Sequence, residues 1–143
     1  MPGPRYIVGA LLGGAIASWL WFTLGGFVAS ATLVPAYYVT AALLGPVSVT
    51  GNFVDAVFGL SHAVVALLVA IPLVLWLRGS WLTLLALFVL GLTLGWLVQL
   101  ALFELDGVTL LTSFALPAFW APLLVTALTF FLAGRVHGRG YGA

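Results

Sequence analysis

Four stretches of this chain, 6–31, 53–77, 81–103 and 110–134, are apolar almost without interruption, and the charged side chains gather at or near their ends. Each is longer than the roughly 20 residues that a helix needs to cross the hydrocarbon core of a bilayer. None alternates as a barrel strand does, and in lipid each segment must satisfy its own backbone N–H and C=O groups. The pattern predicts an all-α integral membrane protein of four transmembrane helices, forming a single domain over residues 1–143.

Residues 32–50, between the first two stretches, are too apolar for a loop in water and, between Pro35 and Pro46, too short for a span. Pro35 near a helix start, Gly45-Pro46 as a stop and the rings of Tyr37 and Tyr38 predict a short helix lying at the outer interface or re-entering it.

Composition narrows the class further. The chain is 64% hydrophobic and 5% charged, so no water-facing shell can be built and a soluble enzyme is excluded. There is no cysteine for a disulfide, a thiol nucleophile or a thiolate metal site. Four scattered cations make no phosphate-binding stripe, so nucleic acid is not an expected partner.

Those cations instead set an orientation. Arg5 precedes the first stretch, Arg78 separates the second from the third, and Arg135 and Arg139 follow the fourth, whereas Asp55, Glu104 and Asp106 fall at the opposite ends. Four spans put every arginine on one side, which the positive-inside rule makes the cytoplasm, with both termini there. Such an asymmetry suits a prokaryotic cytoplasmic membrane, and Trp76 and Trp81 flank Arg78 as interfacial rings. The first stretch ends in Ala29-Ser30-Ala31, like a signal-peptide cleavage site, but its apolar run exceeds a signal peptide's, and the helix is expected to be retained.

Gly9 and Gly13 in the first span, and Gly91 and Gly95 in the third, form GxxxG faces that let helix backbones approach. Pro72, Pro117 and Pro122 each remove a backbone hydrogen bond and should bend their helices.

Polar side chains within spans are few. Asn52, Asp55, Gly59 and His62 follow one another at helical spacing, so one face of the second span is polar in its outer half. At 1.5 Å per residue His62 lies roughly 22 Å from the cytoplasmic end, near the levels reached by Trp21, Trp96 and Trp120. Gln99, further out on the third span, is placed to bond Asp55. These seven residues are the candidate ligand or ion site, an outward-facing vestibule in one reading and interhelical glue in the other. No polar side chain follows His62 down to Leu77, so a complete conduit is not expected. A quinone, a carotenoid or a haem would need groups from a partner, since only one histidine lies in a span.

No nucleophile–base pair, HExxH motif or phosphate-binding loop is present, and no enzymatic activity is expected. The expected function is that of a non-enzymatic membrane subunit, surrounded by lipid and packed against a larger membrane complex or copies of itself. The alternatives are a small oligomeric transporter or channel using the vestibule, and a subunit binding a lipophilic ligand or redox cofactor near His62.

Overall fold

The computed structural model describes residues 3–45, 51–103 and 117–139, and these are almost entirely helical. In chain order the elements are α1 (Pro4–Leu20), a π-helical turn (Trp21–Gly25), α2 (Gly26–Leu44), α3 (Gly51–Trp76), α4 (Trp81–Phe103) and α5 (Pro117–Arg139). Helix α1 starts where Gly3 is extended and Pro4 takes the first helical position, at which the missing N–H costs nothing. Helix α2 ends because Gly45 turns to φ 85°, a conformation that a residue without a Cβ adopts readily.

Pro4–Leu44, Gly51–Trp76 and Trp81–Leu102 are long and apolar enough to cross a membrane, and Trp120–Val136 is a shorter apolar stretch of α5. Glu104, Asp106 and the beginning of the fourth expected span lie outside the described residues, as does Pro46. Helix α5 continues to Arg139, so the segment around His137, expected as a tail, is helical.

The expected short helix between the first two spans is corrected. The first helix runs without a break from Pro4 to Leu44, 41 residues, and Pro35 sits inside α2 rather than at a new start. One lost N–H bond does not end a helix whose flanking turns keep their own bonds. The hydroxyls of Ser30, Thr32 and Thr40 bond carbonyls of their own helix, at Gly26, Val28 and Ala36.

The helices associate most closely as α1 with α4 and α3 with α5. Gly9 meets Trp76 and Leu77, and Gly13 meets Leu73, which sets α1 antiparallel to α3. Gly91 meets Leu11, and Gly95 meets Ser18, so α1 and α4 run the same way. Trp81 stacks edge-on against Phe131, and Phe88 against Phe130, so α5 opposes α4 and runs with α3.

Size sorts the side chains. Ala10, Gly13, Gly14, Ala17 and Ser18 are buried on α1, while Val8, Leu12 and Ile16 face outward. On α3 the small Gly59, Ser61, Ala63, Ala66 and Ala70 are buried, and Leu60, Val64, Leu68 and Leu75 are exposed. Small residues inside and large aliphatic ones outside is the arrangement favoured in lipid, where close backbone approach holds helices together. Larger side chains fill the centre, with Phe88, Leu92 and Phe130 fully buried.

One end of the bundle carries the described arginine side chains. The Tyr6 hydroxyl donates to the Ser80 carbonyl at 2.9 Å, tying the start of α1 to the α3–α4 turn, and Gly134 packs on Trp81. Arg5, Arg78 and Arg135 are therefore gathered at that end, all exposed, with the Arg135 guanidinium 4.9 Å from the centre of the Phe131 ring.

Candidate functional site

The π-helical turn at Trp21–Gly25 is the most irregular point within a described helix. Its sequence has reasons to widen: the Thr23 hydroxyl donates to the Trp19 carbonyl at 2.7 Å, and Gly25-Gly26 offers no side chains to hold the turn. Single π turns of this kind recur at functional sites.

His62 reaches this turn from α3. A Cβ on Gly25 would stand 2.7 Å from its Cδ2 and 2.8 Å from its Nε2, so the imidazole occupies the space that the glycine leaves open. The His62 Nδ1 lies 2.7 Å from the Phe58 carbonyl, which can only accept, so Nδ1–H donates. The Nε2 edge of the ring faces the π turn. The Phe58 ring stacks on the imidazole at 6.2 Å. One position earlier, the Ser61 and Thr32 hydroxyls lie 3.4 Å apart and join α3 to α2.

Gln99 does not join this group. Its Nε2 donates to the Ser18 Oγ at 3.1 Å, and that hydroxyl donates in turn to the Ala15 carbonyl at 2.7 Å. The expected bond from Gln99 to Asp55 is thereby corrected. Both Gln99 and Ser18 are buried at the α1–α4 contact, where a polar amide gains most from a partner on the facing helix. Asp55 is half-buried and Asn52 exposed near the start of α3.

The three candidate tryptophans differ in burial. Trp21 is in the core at 4% exposure, its ring 6.2 Å from Phe88, and its Nε1–H has no hydrogen-bond partner. Trp96 packs partly buried against the core, and Trp120 is 48% exposed. Gly9, Gly13, Gly91 and Gly95 each lie at a contact with another helix of the same chain.

Two contributors had no clear sequence signal. Thr126 is fully buried on α5, its Oγ1 without a partner, one turn from the Phe130 that packs on Phe88. Ser18 reads as a small packing residue yet receives a side-chain bond that joins α1 to α4. Among the described residues, no three His, Asp or Glu side chains come together as a metal site. Chemically, the arrangement offers an imidazole, an indole N–H and a hydroxyl among largely apolar neighbours. Comparison with protein-family models, curated proteins and solved structures returned no match.

Proposed function

We propose that this chain is a non-enzymatic subunit of a membrane assembly, a four-helix unit with both termini cytoplasmic, which docks through α2 against a larger membrane partner or another copy of itself. The observation that supports this reading is the surface of α2. Residues 26–44 contain no charged side chain, and Ala29 alone is buried among them. Phe27, Val34, Tyr38, Val39, Leu43 and Leu44 are all exposed, pointing to several sides of the helix.

A helix resting at a membrane surface needs a polar face toward water, and α2 offers little of one: the Ser30, Thr32 and Thr40 hydroxyls bond its own backbone, and Tyr37 and Tyr38 are the other polar side chains. A helix apolar on all sides is covered by protein or by the bilayer interior. The continuous Pro4–Leu44 helix is 41 residues long, about 60 Å at 1.5 Å per residue, twice the hydrocarbon thickness of about 30 Å. Laid straight within that core it would tilt by about 60°, beyond the range up to about 40° that membrane helices adopt. Protein contact is the remaining way to cover the distal part of α2.

The test is native mass spectrometry of the protein gently extracted from its host membrane. Partner chains or further copies are expected, and Val34→Trp with Val39→Trp should release them. Recovery of a stable, lone monomer would overturn the proposal.

A second reading, an oligomeric transporter, is favoured by Asn52, Asp55 and His62 lying along α3 at helical spacing, with the His62 Nδ1 bonded to Phe58 and its Nε2 edge toward Gly25. In proteoliposomes, flux that survives both Asp55→Ala and His62→Ala would remove those residues from any such role.

A further inference from the structure

A groove of about 400 Å³ opens on the outside of the bundle where α1 begins and α3 ends. Pro4, Arg5, Val8, Gly9 and Leu12 of α1 line it, with Trp76 of α3 as the facing wall. Gly9 lets that wall come close, since a Cβ there would stand 3.0 Å from the Trp76 Cζ3. Val8, Leu12 and Trp76 are all more than half exposed, so the groove faces the surroundings and not the core.

Its own surface is almost wholly apolar. Arg5, an exposed residue, borders it at one end, and Leu12, two turns on and about 10 Å away along the axis, closes the other. Arg78, two residues beyond Trp76, is exposed at the same end of the bundle, and Asp55, the described carboxylate, belongs to the other end. An apolar cleft bordered at one end by an exposed arginine matches an amphiphile with one anionic head and a hydrocarbon tail. A packing helix from another subunit would want an apolar stripe without a guanidinium at its end.

We infer that this groove is a binding site for an anionic glycerophospholipid, with the phosphate at Arg5 and one acyl chain along Val8, Gly9 and Leu12 against the Trp76 indole. Cationic clefts between helices at the cytoplasmic surface hold such headgroups, and an indole belongs at that depth. The inference does not depend on whether α2 docks.

The test is native mass spectrometry of the full chain titrated with phosphatidylglycerol or phosphatidylcholine. The wild type should retain phosphatidylglycerol about fivefold better, the scale of one surface cation. Arg5→Gln should abolish that preference, Arg5→Lys should keep most of it, and Val8→Trp, which fills the groove, should reduce both adducts. Arg135→Gln, at the same end but on α5, should leave the preference unchanged. Equal retention of the two lipids by the wild type, or equal loss in Arg5→Gln and Arg135→Gln, would overturn the site. So would a photoreactive residue at position 8 that crosslinks to protein instead of lipid. Variants are scored only where they elute as wild type; if Arg5→Gln does not, Arg5→Lys and Val8→Trp still decide the outcome.

Discussion

Thr126 behaves unlike the other hydroxyls of this bundle. Thr23, Ser30, Thr32, Thr40, Thr93 and Thr129 each donate to the carbonyl four residues earlier, whereas the Thr126 Oγ1 is buried without a partner. An unpaired buried hydroxyl costs free energy that a methyl group of the same shape does not. Thr126→Val should therefore raise stability by about 1 kcal/mol, read from thermal unfolding in detergent. A fall instead would mean that the hydroxyl finds a partner, such as a buried water, in the membrane. The glycines give a second contrast at this scale. A Cβ on Gly14 would collide with the Phe88 carbonyl oxygen, and one on Gly91 with the Leu11 carbonyl oxygen, backbone atoms that cannot swing aside. Gly26 has nothing within 4 Å. Gly14→Ala and Gly91→Ala should each lose about 2 kcal/mol or more by forcing α1 from α4. Gly26→Ala should gain up to about 1 kcal/mol from helix propensity. Equal effects at the three positions would mean that the α1–α4 approach is not close.

Between elements, a side-chain bond accompanies the α1–α4 contact: Gln99 on Ser18. Interhelical bonds of this kind contribute about 0.6 to 2 kcal/mol, because an amide in lipid has few other partners. A double-mutant cycle of Gln99→Leu and Ser18→Ala should return a coupling energy in that range, and additive losses would show that the two side chains do not act as a pair. Much of the element structure was legible in the sequence, since unbroken apolar length decides where helices fall in lipid. Expected boundaries at 53–77 and 81–103 compare with Gly51–Trp76 and Trp81–Phe103. The misreading at Pro35 came from giving proline its weight in a water-exposed helix, where a lost bond matters more than it does between apolar turns. The π turn left no trace, because it depends on a Thr23 back-bond and two glycines that are ordinary in any membrane helix. Candidate side chains were legible by type and depth but not by partner. Helical spacing says which face Gln99 shares and not that the helix opposite is α1.

For the molecule as a whole, the contacts between helices constrain the orientation that the arginines imply. The Tyr6–Ser80 bond, the packing of Gly9 on Trp76 and that of Gly134 on Trp81 draw Arg5, Arg78 and Arg135 to one end. Asn52, at the start of α3, belongs to the other end, since α3 runs from there to Trp76. Contacts alone do not say which end faces the cytoplasm; the proposal that the arginine end does rests on the cost of moving arginines across during insertion. The chain has no native cysteine, so single thiols can be introduced without background. Asn52→Cys and Ser80→Cys both replace exposed polar residues at the ends of α3 and α4. A membrane-impermeant maleimide should label Asn52→Cys in intact cells, and Ser80→Cys only in inverted vesicles. The reverse pattern would turn the bundle over and place the groove beside Arg5 in the outer leaflet. Labelling of both from one side would mean that α3 does not cross the bilayer, which its 26 uninterrupted, largely apolar residues make the least economical outcome.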